Sequence, residues 1–346
     1  MLQKINGQAK TILVAGGAGF LGSHLCEALL TEGHRVICVD SFLTSTPVNT
    51  GLMQTNPRYR MIQHDICATL DIDEPLDQIY NLACPASPPL YQADPFHTMM
   101  TSVQGTRNLL LLAEQHGASF LQASTSEVYG DPEQHPQRED YWGRVNCTGP
   151  RACYDEGKRA AEALCFDSLR SGRVDARVAR IFNTYGPRMQ ADDGRIVSNL
   201  IVQALQRKPL TIYGTGAQTR SFCYVSDLVQ GLMLLMNTTP NPAVPVNLGN
   251  PGEFTIRELA EMVLDLVPTN SVIVYKPLPI DDPQRRRPDI ERAKQLLGWE
   301  PSVRLSDGLP RTIDWFRQTL HEATDVAKEQ ERSATGRARV VSQSSV

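Results

Sequence analysis

The sequence predicts a doubly wound parallel α/β sheet, with helices on both faces and a smaller α/β domain behind it. Three observations carry this. Strand and helix patterns alternate over roughly the first half of the chain. A glycine-rich turn joins the first strand to the first helix, and an aspartate closes the second strand. After Gly186-Pro187 the alternation loosens. The 346 residues carry 34 Lys+Arg against 38 Asp+Glu, with 41% hydrophobic and 21% charged residues. A chain of this length buries a sizeable core without staples. The composition excludes collagen-like, coiled-coil and wholly disordered chains. The net charge of −4 argues against a dedicated nucleic-acid binder, which shows a basic face. It leaves room for a local basic pocket that takes an anionic small molecule.

Thr11-Ile-Leu-Val-Ala15 is a short apolar run rich in β-branched residues and reads as a buried parallel strand. Ser23 to Glu32 carries Leu25, Ala28 and Leu29 at helical spacing, and Gly33 stops it. Arg35 to Asp40 is the second strand. Strands follow over Tyr59–His64 and Asp77–Ala83. Thr98–His116 reads as a long helix with Val103, Leu109, Leu110 and Ala113 on one side. Ser119–Ser124 is a strand, Tyr154–Ser171 a helix and Asp175–Arg180 a strand. Beyond Pro187, helices are expected over Ile196–Arg207, Ile256–Val267, Ile290–Leu297 and Asp307–Leu320. Short strands are expected over Leu210–Tyr213, Phe222–Val225 and Val246–Leu248. Residues 321–346 are polar, without Phe or Trp, and read as a disordered tail.

None of the eight cysteines forms a C-x-x-C pair and no histidine cluster flanks them, so no metal site is expected. Scattered thiols of this kind are free, mostly buried and belong to a reducing compartment. No run approaches a membrane span. Met1 to Lys10 is polar and lacks the apolar core of a signal peptide, so the expected location is cytoplasmic.

Gly16, Gly19 and Gly22 form a G-x-x-G-x-x-G turn between a strand and a helix. Glycines let the backbone approach a pyrophosphate, and the helix N-terminus supplies unpaired N–H groups. Asp40 ends the second strand, where a carboxylate accepts from a ribose 2′-hydroxyl and repels a 2′-phosphate. The turn and the acid together favour NAD over NADP. Tyr154 and Lys158 are four apart on the predicted helix and share a face. A nearby ammonium lowers a phenol pKa, and such a Tyr takes a proton from a sugar hydroxyl as hydride leaves the same carbon. Strand Ser119–Ser124 runs into Thr125, Ser126 and Glu127, and carboxyl ends of strands line the ligand crevice in such sheets.

These residues together resemble the extended short-chain dehydrogenase/reductase family, Rossmann-fold enzymes that modify nucleotide sugars with bound NAD. More narrowly, the chain is similar to the UDP-glucuronate decarboxylase (UDP-xylose synthase) branch. The matching stretches are Ala86-Ser-Pro-Pro89, Ser124-Thr-Ser-Glu-Val-Tyr-Gly-Asp-Pro132, Gly149-Pro-Arg-Ala-Cys-Tyr-Asp-Glu-Gly-Lys-Arg159, Ala179-Arg-Ile-Phe-Asn-Thr-Tyr-Gly-Pro-Arg-Met189, Asp192-Asp-Gly-Arg195 and Asp281-Asp-Pro-Gln-Arg-Arg-Arg-Pro-Asp-Ile290. The resemblance runs from about residue 10 to 318. Three stretches depart from the pattern. Cys147-Thr148 replaces a Pro-Ile pair, Ser102 replaces an Asn, and Gly-Phe-Leu-Gly replaces Gly-Phe-Val-Gly. None removes a proposed catalytic group.

The resemblance implies a cycle that oxidises C4 of UDP-glucuronate, loses CO2 from the resulting 4-keto acid and re-reduces C4. It assigns Tyr154 as base, Lys158 as holder of the nicotinamide ribose and Thr125 as a partner of the C4 oxygen. Ser126 and Glu127 fall near C5, and Arg286 reaches the sugar acid. The NAD site would draw on Gly16, Gly19, Phe20, Leu21, Gly22, Asp40, Ser41 and Phe42, then on Asp65, Ile66 and Leu82, with Tyr154 and Lys158. Substrate binding would draw on Pro85, Ser87, Tyr91, Asn183 and Arg195, then on Tyr213, Gln218, Arg220 and Arg286. The implied domains are residues 10–186, with returning segments near 222–250, for NAD, and 187–221 with 251–320 for the nucleotide sugar. A homodimer through the helices Thr98–His116 and Tyr154–Ser171 is implied, with no nucleic-acid or membrane partner.

A UDP-sugar 4-epimerase, or another nucleotide-sugar enzyme, is the alternative, since it also oxidises C4. A dTDP-glucose 4,6-dehydratase needs an acid where this chain has Ser126. A non-catalytic NAD sensor on the same fold is a third reading, which the retained Tyr154 and Lys158 oppose.

Overall fold

The structure is a computed structural model that describes residues 8–278 and 285–322. Asp281 to Gln284 of the last motif, and the expected tail beyond residue 322, lie outside the described residues. The described residues include a helix from 305 to at least 322, so that helix runs past the expected Leu320.

The first half builds one sheet. Its strands are β1 (Thr11–Ala15), β2 (Arg35–Asp40), β3 (Tyr59–Gln63), β4 (Gln78–Asn81), β5 (Ser119–Thr125) and β6 (Ala176–Ile181). The intervening helices are α1 (Phe20–Thr31), α2 (Pro88–Ala93), α3 (Pro95–Met100), α4 (Thr106–His116) and α5 (Ala152–Arg170). The second half comprises β7 (Thr184–Tyr185), α6 (Ile196–Leu205), β8 (Leu210–Tyr213), β9 (Thr219–Ser221), β10 (Cys223–Tyr224) and α7 (Val225–Asn237). It continues with β11 (Val246–Leu248), β12 (Glu253–Thr255), α8 (Ile256–Leu266), β13 (Ile273–Lys276), β14 (Arg285–Arg286) and α9 (Glu291–Leu297).

The main sheet has the order β11-β6-β5-β4-β1-β2-β3, and every pairing in it is parallel. The order reverses between β1 and β4, and such a switch point opens a crevice at the carboxyl ends of the strands. Alternation along β1 divides the core. Ile12 and Val14 face a core shared with Leu25 and Leu29 of α1 and Leu228 and Leu232 of α7. Leu13 and Ala15 face a second core with Leu109 and Ala113 of α4 and Cys165 of α5. All four β1 residues are fully buried, which contributes about 1.5–3 kcal/mol for each of the larger aliphatic side chains.

Four local expectations are corrected. Helix α1 starts at Phe20 rather than Ser23, because the glycine turn passes directly into it with Gly19 as N-cap. The long helix before β5 begins at Pro95 rather than Thr98 and carries a π turn, Thr101–Gly105, between α3 and α4. Two contacts accompany the extra residue. Thr101 Oγ1 donates to the His97 carbonyl at 2.8 Å, a side-chain bond that competes with the backbone ladder. A Cβ on Gly105 would lie 2.5 Å from Ile66 Cδ1. Third, the strand expected over Phe222–Val225 ends at Tyr224, and Val225 opens α7. Helix α7 was not read from the sequence; nine of its 13 residues are buried, and its exposed Ser226 and Gln230 share a narrow face. Fourth, all eight cysteines are free, but only Cys26, Cys38, Cys165 and Cys223 are buried.

Candidate active site

The crevice begins at the glycine turn. Gly16 has φ +75°, and a Cβ there would sit 2.7 Å from the Ala83 nitrogen; one on Gly22 would sit 2.0 Å from the Gly16 carbonyl oxygen. The turn is closed on itself by contacts that only glycine permits. No side chain caps the N-terminus of α1, so its first N–H groups stay available to an anion. Asp40 is mostly engaged within the chain. It accepts from the Ala18 N–H at 2.9 Å, the Phe42 N–H at 2.9 Å and Ser45 Oγ at 2.7 Å. A carboxylate offers about four acceptor sites, so about one remains for a ribose hydroxyl.

Two adjoining clefts open over this turn and share Gly16, Gly19, Thr44, Ser45, Leu82 and Cys84. The larger encloses about 1180 Å³ of empty space, open solvent included, and the smaller about 530 Å³. The smaller cleft gathers Asp40, Ser41, Asp65, Ile66, Leu82 and Pro85. The larger gathers Phe20, Leu21, Gly22, Ser87, Thr125, Ser126, Glu127, Tyr154, Lys158, Asn183, Arg195 and Arg286. The residues expected for catalysis therefore share one wall, although Arg286 lies 159 positions from Glu127. Strand β14 delivers it: Arg286 pairs in register with Arg220 of β9, and Gln137 clamps the next residue, its N–H bonding the Arg287 carbonyl at 2.9 Å.

At the centre, Glu127 is held by two guanidinium groups. Arg286 Nη1 donates to Oε1 at 2.6 Å, and Arg151 Nη2 pairs with Oε2. Burial pushes the Glu127 carboxyl up, but the charges and hydrogen bonds of Arg286 and Arg151 outweigh it and hold the group at about 2. Glu127 is therefore ionised at neutral pH. Arg286 Nη2 and Ser87 Oγ are buried without a partner among the described residues, and both residues line the larger cleft. Buried polar groups normally find a partner, so these two have unused capacity where a ligand would lie. Asp155 is also buried and its Oδ1 has no partner. Burial, with the charge of Glu127, pushes its carboxyl up to about 7, against Arg151 and Arg286.

The Tyr154–Lys158 pair departs from expectation in one respect. Lys158 lies with Nζ 5.9 Å from the Tyr154 ring centroid and gives one N–H to the Ala123 carbonyl at 2.9 Å. Burial, with Cys84 and Glu127 adding to it, pushes the Tyr154 phenol up; the Thr125 hydrogen bond opposes them. The lysine thus does not lower the phenol in the protein alone, because desolvation dominates and the ammonium is itself disfavoured by burial.

Several expected residues stand elsewhere. Tyr91 is buried behind the catalytic wall, its ring stacked on Tyr154 at 5.0 Å and 6°. Phe42 sits at φ +60° and lines neither cleft. Tyr213, Gln218 and Arg220 also lie outside both linings. Tyr213 is exposed at the end of β8, and Gln218 Nε2 donates to its carbonyl. Arg220 is buried beside Arg286. The chain near Tyr213 is described only to Leu278 and resumes at Arg285. Residues the sequence reading missed are Arg151, Asp155, Cys84, Arg188 and Asn49. Arg151 and Asp155 lie inside the quoted Gly149–Arg159 motif, which was the available signal.

The residues present fit a dinucleotide. The glycine cradle, the uncapped helix start and the remaining capacity of Asp40 lie along the two joined clefts. A family model described as "NAD dependent epimerase/dehydratase family" matches residues 12–249. UDP-glucuronic acid decarboxylase 1 of Danio rerio is 55% identical over 317 residues, covering 91% of this chain and 75% of that protein. UDP-glucuronic acid decarboxylase 6 of Arabidopsis thaliana is 53% identical over 310 residues, covering 89% of each chain. Among solved structures, UDP-glucuronic acid 4-epimerase from Bacillus cereus, in complex with UDP-glucuronic acid and NAD, superposes with a TM-score of 0.80 at 30% identity. That match covers 89% of this chain and 99% of the other.

Proposed function

The chain belongs to the NAD dependent epimerase/dehydratase family, and from that premise we propose that it decarboxylates UDP-glucuronate to UDP-xylose in a closed cycle with bound NAD. The observation that carries the reading is the Glu127–Arg286–Arg151 cluster on the wall that also bears Tyr154 and Lys158. It puts a fixed anion and a guanidinium with a free Nη2 in the cleft.

NAD would be held by Gly16, Gly19, Phe20, Leu21, Gly22 and Asp40, with Ser41, Asp65, Ile66 and Leu82 at the smaller cleft and Lys158 at the other end. When bound, it supplies the acceptor for the C4 hydride and returns that hydride at the end. Tyr154 would take the C4 hydroxyl proton as its tyrosinate, a form that burial disfavours in the protein alone and that the positive charge of bound NAD would favour, with Thr125 bonded to the same oxygen as C4 becomes a ketone. The sugar is then a β-keto acid. The bond from C5 to its carboxylate breaks, CO2 leaves, and the electron pair becomes an enolate spread onto the C4 oxygen. Arg286 holds the carboxylate beforehand through its free Nη2, since a guanidinium fork suits a carboxylate. Glu127, ionised and anchored on its two arginines, faces that carboxylate with like charge, which favours loss of the carboxylate as neutral CO2. C5 then takes a proton, and Tyr154 returns its proton to the C4 oxygen as the carbinol reforms.

The nucleotide-sugar side would comprise residues 187–221 and 251–320, with Ser87, Asn183 and Arg195 at the sugar and Tyr213, Gln218 and Arg220 toward UDP. A homodimer through the helices around 98–116 and 154–171, in a reducing cytoplasm that suits eight free thiols, completes the reading. No helix among the described residues is long and apolar enough to cross a membrane.

An Arg286→Gln protein tests the assignment. Turnover of UDP-glucuronate should fall by about 10²- to 10³-fold, the scale of losing one preorganised electrostatic donor, while NAD binding persists. Unchanged turnover contradicts it.

A further inference from the structure

Away from the catalytic wall, the turn after β3 and helix α3 bring together three chemically distinct donors. Asp65, Cys67 and His97 present one oxygen, one sulfur and one nitrogen atom, all within 4.8 Å of one another. No sequence spacing announces this set, because 30 residues separate Cys67 from His97 and the fold alone joins them.

The surroundings hold these donors in place. Asn108 Nδ2 donates to the carbonyls of Ile66 at 2.9 Å and Cys67 at 3.0 Å, which anchors the turn on α4. The Cys67 N–H donates to Asp65 Oδ1 at 2.8 Å and leaves Oδ2 turned toward His97. Thr101, at the start of the π turn, gives its hydroxyl proton to the His97 carbonyl at 2.8 Å. Its oxygen is then an acceptor, 3.4 Å from His97 Nδ1 and 3.6 Å from Cys67 Sγ.

His97 Nε2 and Asp65 Oδ2 face each other at 2.8 Å and share a hydrogen bond, and a metal ion bound by both atoms would take the place of the proton between them. Thr101 Oγ1 lies beside the far ring nitrogen, where a hydrogen bond is the usual support of a metal-bound histidine.

We propose that Asp65, Cys67 and His97 form a binding site for a borderline-soft divalent cation, Zn²⁺ being the ion that matches one sulfur, one nitrogen and one oxygen donor, and that the ion competes with NAD. The donor set favours Zn²⁺ over Mg²⁺ or Ca²⁺, which select oxygen ligands. Bonds of about 2.0–2.3 Å require the donors to draw together from their present spread of up to 4.8 Å. The fourth position is left to water. Asp65, His97 and Thr101 line the smaller cleft together with Asp40 and Leu82. The competition therefore rests on the cofactor placement proposed above, whereas the metal site itself does not.

The test is a zinc titration of the full-length, tag-free protein by calorimetry at neutral pH, with and without saturating NAD, on wild type, Cys67→Ser and His97→Gln. Co²⁺ serves as a spectroscopic probe. We expect one zinc site that weakens at least about tenfold in both variants, and a thiolate-to-Co²⁺ charge-transfer band that vanishes in Cys67→Ser. Saturating NAD should weaken zinc binding, and zinc should weaken NAD binding by the same factor. Cys67→Ser should retain turnover of UDP-glucuronate and resist inhibition by zinc. An identical zinc isotherm and cobalt spectrum in Cys67→Ser overturns the site. A zinc isotherm indifferent to NAD overturns the competition. Failure of the decarboxylase reading shows separately, as absence of product from zinc-free wild type.

Discussion

At the residue scale the account rests on three ionisable groups in one buried cluster. Tyr154 is the proton acceptor, so Tyr154→Phe should lower kcat by about 10²- to 10⁴-fold while NAD still binds; retained turnover would remove the residue from that role. Asp155 gives a pH signature. Its carboxyl is raised to about 7 in the folded protein, against about 3.9 in an unfolded chain. Between these values the folded state binds more protons than the unfolded one, so this group makes stability fall as pH rises from about 4 through 7. Asp155→Asn cannot titrate. Its Tm should therefore gain on wild type between pH 5 and pH 8, and parallel melting curves across that range would contradict the assignment. Glu127 has the opposite sign. Held at about 2, it contributes stability that persists until pH falls below about 4 and through 2. Tyr154 and Lys158 were legible in the sequence because four-residue spacing on a helix is a local fact. Arg151 and Asp155 were not, since what each does depends on its nearness to Glu127 and Arg286 across the fold. The effect of Lys158 on the phenol was misjudged for the same kind of reason: burial is a tertiary quantity, and here it outweighs one charge.

At the scale of elements, the strand-turn-helix unit β1–α1 carries the cofactor argument. Gly22 has no room for a side chain, its would-be Cβ lying 2.0 Å from the Gly16 carbonyl. Gly22→Val should cost at least about 1–3 kcal/mol through overpacking and abolish NAD retention on gel filtration; a variant that melts like wild type and keeps its NAD would refute that geometry. Most strands and the helices with one apolar stripe could be read from periodicity. The π turn at Thr101–Gly105 could not, because it reflects a back-bonding threonine and the close approach of Ile66. Helix α7 was invisible for a different reason. It lies between the α1 face of the sheet and the C-terminal segments, with Trp299 Nε1 donating to its Asp227 carbonyl at 2.9 Å, and only a narrow polar face through Ser226 and Gln230 is exposed.

At the scale of the whole molecule, the seven-stranded parallel sheet presents the carboxyl ends of β1, β4, β5 and β6 to one crevice, and β14 returns from the second half to close it with Arg286. The doubly wound class was readable from strand–helix alternation, but the return of β14 was not, as two residues of strand carry no pattern of their own. The proposed dimer predicts a particle of twice the chain's 38.4 kDa by light scattering, and a monomeric mass would contradict it. The central claim is that oxidation at C4 serves decarboxylation in a closed cycle. It is tested most directly by incubating the purified protein with UDP-glucuronate and NAD, following the nucleotide sugar by mass spectrometry and NADH by absorbance. The account predicts a product lighter by one CO2 with no sustained rise in NADH. An isomer of unchanged mass, or no conversion at all, would contradict it.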